Sequence, residues 1–159
     1  MPDFLSAQLE KIVNEDILLL CVGNPLRGDD AFGPALADSL KGRVRLKVID
    51  AGMSPENFLG RIAREKYSSV LLIDAVDFGA RPGEARLLDL DKNKTNCLFM
   101  THNPCPSLIF DFLKENNIRV TLLAAQPKDI SFGAKLSPEV EKQIDFLSSW
   151  FKQRYPKDN

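Results

Sequence analysis

Ile17-Leu18-Leu19-Leu20-Cys21-Val22-Gly23-Asn24-Pro25-Leu26-Arg27-Gly28-Asp29-Asp30 is the stretch whose reading decides the fold class. It opens with an unbroken apolar run, too short for a buried helix and without the polar alternation of a half-exposed strand, and then stops at a Gly-Asn-Pro turn. A strand covered on both faces reads this way, and such strands belong to parallel sheets flanked by helices. Ser69 to Ala75 (SVLLIDA) repeats the pattern. Val44 to Asp50, Glu84 to Leu90 and Arg119 to Ala124 are the other predicted strands, the first strand running from Ile17 to Gly23. Glu84 to Leu90 alternates less cleanly and is expected at an edge.

Helical signals fall between these strands. Asp29 and Asp30 precede Ala31 to Leu40, where Phe32, Ala35, Leu36 and Leu40 share one face. Acids at a helix start can cap its free N–H groups and face the positive end of its dipole. Ser54-Pro55-Glu56 opens a second helix, to about Arg64, and Pro104 to Asn116 reads as a third. The last begins at Ser137-Pro138-Glu139 and carries Val140, Ile144, Leu147 and Trp150/Phe151 on one side. Met1 to Asn14 adds a short amphipathic helix through Leu5, Leu9 and Ile12. Strands alternating with helices predict an α/β fold, a single three-layer domain whose mostly parallel five-stranded sheet has helices on both faces. FGARPG, residues 78–83, is too short for a crossover helix, so the fourth strand is expected to join the third by a turn and run antiparallel to it.

Composition sets bounds on function. A chain of 159 residues with 44% apolar and 27% charged residues builds a core without disulfides. The formal net charge of −1 gives no reason to expect nucleic acid or an anionic membrane as a partner. Cys21, Cys97 and Cys105 are an odd set without paired spacing, which favours reduced thiols and a cytoplasmic setting. No apolar run approaches the roughly 18 residues of a membrane-spanning helix.

In an open α/β sheet, ligands bind beyond the carboxyl ends of the strands. Three chemically capable groups fall there: Asp30 after the first strand, Asp74 at the end of the third, and His102, the sole histidine, just before a predicted helix. Two carboxylates and an imidazole suit a borderline divalent ion such as Ni²⁺ or Zn²⁺, and equally suit acid–base work near neutral pH. Each also has a purely structural reading. Asp29 and Asp30 can serve as helix caps, Asp74 as a turn residue, and His102 as a hydrogen-bonded core or surface side chain. Cys105, three residues after His102, reads better as an inert thiol than as half of a Cys–His pair, because Pro104 and Pro106 disturb helical spacing. GNPLRGDDAFG, residues 23–33, is neither G-x-G-x-x-G nor a Walker A loop, and two acids at the helix start would repel a phosphate.

GNPLRGDDAFGP after the first strand, IDAVD after the third and THN before the next helix occur in that order. Together with AGMSPEN and LLAAQPKDISFGAKLSPEV they resemble the hydrogenase maturation endopeptidases, above all the branch serving formate-hydrogenlyase-type enzymes. The resemblance spans about Ile17 to Trp150. It implies a twisted five-stranded sheet between helices, and a metal-binding and catalytic site made of Asp30, Asp74 and His102. It further implies a monomeric endopeptidase that removes the C-terminal extension of a hydrogenase large-subunit precursor. The nickel would be borne by that substrate, with Zn²⁺ or Cd²⁺ able to replace it in the isolated protein. Ala31 departs from the glycine common at that position, Cys105 lies outside the pattern, and residues 1–16 form an N-terminal extension to an otherwise single domain over 1–159. The rival reading is a non-enzymatic nickel-binding or insertion factor, which the same three ligands would serve.

Overall fold

The computed structural model describes residues 2–89 and 106–159. Its strands are β1 (Ile17–Val22), β2 (Lys47–Gly52), β3 (Ser69–Ala75), β4 (Ala85–Asp89) and β5 (Arg119–Ala125), joined in one sheet of order β2-β1-β3-β5-β4. β1 pairs in parallel with β2 and β3, β3 pairs in parallel with β5, and β4 runs antiparallel to β5. The helices are α1 (Pro2–Ile12), α2 (Phe32–Leu40), α3 (Leu59–Glu65), α4 (Pro106–Glu115) and α5 (Pro138–Arg154), with short 3-10 turns at Gly28–Ala31 and Pro55–Phe58 leading into α2 and α3.

Every residue of β1 is buried, as its apolar run requires. Alternation along the strands divides the core in two. Leu19 and Cys21 of β1 with Leu71 and Ile73 of β3 meet α1, α2 and α5 on one face. Leu18 and Leu20 with Val70 and Leu72 meet α3 and α4 on the other. Fully burying one such leucine contributes about 1.5–3 kcal/mol, so the central strands anchor both layers. The expected three-layer α/β architecture is therefore the observed one.

Three details differ from the sequence reading. β4 is antiparallel and at an edge, but its neighbour is β5 and not β3. The connection of residues 76–84 spans the extra strand by bonding to the end of β5: Val76 N–H donates to the Ala125 carbonyl, and Gly83 N–H to that of Gln126. Next, residues 44–46 do not extend β2. Val44 bridges antiparallel to Pro156, and Arg45 N–H donates to the Tyr155 carbonyl, so this stretch pairs with the segment after α5. The N-terminal helix uses Leu5, Leu9 and Val13 as its buried residues, with Ile12 only partly covered. Its polar face is tied to α5 where Trp150 Nε1–H donates to Ser6 Oγ at 2.7 Å and the Arg154 guanidinium pairs with Glu10 at 2.6 Å.

The approach of α2 to the sheet depends on Gly33. A methyl group there would overlap the Val22 carbonyl oxygen and lie 2.7 Å from Val22 N and 2.9 Å from the Ile73 oxygen, all backbone atoms of the two central strands. Gly33→Ala is expected to lower stability by about 1–3 kcal/mol, because the clash is with backbone that cannot swing aside. Chemical denaturation with an unchanged m-value and a lowered midpoint is the expected result.

Candidate functional site at the carboxyl ends of the strands

From β1 the chain passes through α2 to β2 on one side, and the next strand, β3, takes its place on the other. The strand order thus reverses between β1 and β3, the position where α/β sheets place their ligands. Asp30 follows β1, and Asp74 is the next-to-last residue of β3, opposite Ala124 of β5. Both side chains are buried, at 3% and 2% exposure. By alternation with Val70 and Leu72, Asp74 belongs to the α3/α4 face of the sheet.

The Asp30 loop is shaped locally. Asn24 N–H donates to Asp30 Oδ2 at 3.0 Å, Asp30 N–H donates to the Arg27 carbonyl, and the Asn24 side chain accepts from Leu26 N–H. Gly23 has φ +152°, and any side chain there would run into the Asp30 carbonyl. The Gly-Asn pair after β1 is thus the requirement for folding the acid back over the strand ends.

Neither acid of the Asp29/Asp30 pair caps its own helix. Arg27 is the cap of the 3-10 turn and Ala31 that of α2, both without a side-chain cap bond. Asp29 instead turns inward. Its carboxylate, fully buried, accepts from Lys128 N–H (2.8 Å), Asp129 N–H (3.2 Å), Ser137 N–H (2.7 Å) and the Ser137 hydroxyl (2.8 Å). It fixes the loop after β5 and the start of α5, where Ser137 also caps Val140 N–H. The pattern gave no sign of this long-range role, since the partners lie about a hundred residues away in sequence.

Gln126 is a second residue the sequence reading did not single out. It is buried at the end of β5. Its Oε1 accepts from Phe78 N–H (2.9 Å) and Ala80 N–H (3.1 Å), while its Nε2 donates to Asp77 Oδ1 (3.0 Å). That amide and the Gly79 N–H hold the Asp77 carboxyl below the usual carboxylate range. The only available signal was a polar residue directly after the apolar run of β5.

His102, Cys97 and Cys105 lie outside the described residues. Two of the three expected ligands, Asp30 and Asp74, stand at the ends of adjoining strands, and among the described residues no trio of His, Cys, Asp and Glu is gathered as a metal site. Cys21 is core: burial pushes its thiol up, as its place inside β1 predicts. Cavities of about 360 Å³ between α1, α5 and the start of β4, and of about 370 Å³ at the amino ends of the strands, are not lined by Asp30 or Asp74.

The two neighbouring acids should separate on mutation. Asp29→Ala leaves three backbone donors without their acceptor and should cost about 3–5 kcal/mol, read as a lowered denaturation midpoint. Asp30→Asn keeps a carbonyl oxygen for Asn24 N–H and should shift stability by less than about 1 kcal/mol.

Comparison with known proteins agrees with this geometry. The hydrogenase maturation protease family model matches residues 34–151. The hydrogenase 3 maturation protease of Escherichia coli K12 is 34% identical over 130 residues, 80% of this chain and 83% of that protein. Among solved structures, a [NiFe] hydrogenase maturation protease from Thermococcus kodakarensis superposes with a TM-score of 0.82 at 26% identity, covering 94% of this chain and 97% of that one. A crystal structure of a hydrogenase 3 maturation protease gives 0.76 at 32% identity, covering 86% and 89%. The chain belongs to the hydrogenase maturation protease family and is a peptidase.

Proposed function

We propose that this peptidase removes the C-terminal extension of a nickel-loaded hydrogenase large-subunit precursor in the cytoplasm, acting as a monomer. The observation that carries the reading is the pair of buried carboxylates, Asp30 and Asp74, at the point where strand order reverses, in a chain of this family. His102 completes the proposed donor set. It precedes α4 by four residues, and that helix runs back toward the amino end of β5, so its first turn faces the carboxyl-end rim.

Two carboxylates and an imidazole are a fitting donor set for nickel carried by the substrate, with Zn²⁺ or Cd²⁺ as stand-ins in the isolated protein. A peptide bond in a precursor tail is chemically ordinary. Docking on an ion present only after cofactor insertion holds the correct bond at a fixed place and supplies the discrimination. Hydrolysis then requires a base. Water adds to the scissile carbonyl carbon as one carboxylate takes its proton, and the C–N bond breaks with that proton passing to the leaving amine. The absence from the sequence of H-E-x-x-H and G-x-S-x-G agrees with a carboxylate-based route.

The test is processing of purified precursor followed by intact-mass measurement. Wild type is expected to shorten the nickel-loaded precursor and leave the nickel-free form intact. Asp30→Asn and Asp74→Asn should each lower the rate by about 10²–10⁴-fold with unchanged circular dichroism. His102→Ala should lose most Ni²⁺ binding by calorimetry. Equal cleavage of both precursor forms, or full activity in folded Asp30→Asn, would overturn the reading. A precursor that gains nickel without losing mass would favour an insertion factor.

A further inference from the structure

Five large apolar side chains are strongly exposed among the described residues: Phe4, Leu26, Met53, Leu108 and Phe132. All five belong to the carboxyl-end rim. Leu26 lies in the loop after β1, Met53 directly after β2 and Phe132 in the loop after β5. Leu108 is in the first turn of α4, and Phe4 in the first turn of α1, beside Leu5, which lines a cavity with Gly83 and Ala85 at the start of β4. Scattered exposed apolar residues need no explanation, but a set confined to one end of a molecule marks an interaction surface.

Two of them are held rigidly. Gly133 N–H donates to the Leu26 carbonyl at 2.8 Å, and the Arg27 guanidinium donates to the Ile130 carbonyl at 3.2 Å. Asp129 and Asp29 exchange backbone and carboxylate hydrogen bonds directly below. Leu26, 61% exposed, and Phe132, 77% exposed, thus project from two loops bonded to each other and to the buried Asp29. A loop anchored this way loses little conformational entropy when its apolar tip is covered, the property of a preorganised binding hot spot. The Met53 end is joined to the same framework, since Gly23 N–H donates to the Gly52 carbonyl at 2.9 Å.

We infer that Leu26 and Phe132, with Met53 and Leu108, form an apolar docking collar around Asp30 and Asp74 that grips the folded body of the precursor protein while its tail reaches the acids. This rests on the proposed function: in a chain of this family the macromolecule that must reach the rim is the precursor. The cavities beside α1 and at the amino ends of the strands are lined by neither acid, so they are separate from this surface. Exposed leucine, methionine and phenylalanine call for a partner surface that is itself apolar, as at the core of a protein–protein interface.

The test is steady-state processing of nickel-loaded precursor, with precursor concentration varied, by wild type and by the double variant Leu26→Ser/Phe132→Ser. The variant should raise KM about tenfold or more and leave kcat within about twofold, because the collar binds and does not react. An unchanged KM, or a fall in kcat alone, would overturn the proposal. So would a wild-type homodimer in sedimentation that the substitutions dissociate, which would make a second copy the occupant. Should wild type fail to cleave, the functional reading falls, and docking is judged separately by co-sedimentation with the precursor. Binding lost in the variant supports the collar; equal binding refutes it. If the double variant fails a circular dichroism check, Met53→Ser/Leu108→Ser makes the same comparison.

Discussion

Four hydrogen bonds converge on the carboxylate of Asp29, and the architecture of the rim depends on them. Three come from backbone N–H groups of residues 128, 129 and 137 and one from the Ser137 hydroxyl. Hydrogen bonds to a charged group are stronger than neutral ones, and inside a dry core an unpaired carboxylate would be costly. The group and its donors therefore hold each other in place. The loop after β1, the loop after β5 and the first turn of α5 are locked as one piece, and Asp30 is carried on that piece, one residue along.

Adjacent acids in one dipeptide thus have different work. Asp29 faces the interior and is consumed by structure. Asp30, in the same 3-10 turn, lies by the point where strand order reverses and accepts from the Asn24 N–H of the Gly23-Asn24 turn. The division follows from the turn itself. Neighbouring side chains on a tight helical turn point in different directions, so one can brace the loop while the other addresses the rim. Gln126 repeats the arrangement across the sheet, bracing residues 77–80 directly after the strand that carries Asp74.

How much of this the sequence discloses varies with the range of the interaction. The apolar runs of β1 and β3 announce central, doubly covered strands, and Ser137-Pro138 announces the start of α5, because these are local signals. The edge position of β4 is legible from its weaker alternation, whereas its pairing with β5 is not. That partner arrives about forty residues later and takes the place beside β3 by bonds near Val76 and Gly83. Val44 escapes a local reading for the same reason, its extended backbone serving Pro156 in place of β1. The acids of the site were visible as types at strand ends. The role of Asp29 depends on a loop a hundred residues away, and no periodicity encodes it.

The parallel seating of α1 beside α5 has a consequence for how the molecule comes to exist. Ser6 meets Trp150 and Glu10 meets Arg154, each pair 144 residues apart in the chain. Ribosomal synthesis delivers Leu5, Leu9 and Val13 before the sheet and well before their α5 neighbours, so α1 must keep its apolar stripe waiting while the residues between are made. Contacts of such separation slow folding and leave intermediates prone to aggregate. A nascent chain halted before Trp150 would carry an unfinished layer, and α1, made before the sheet, would be among the last elements to settle.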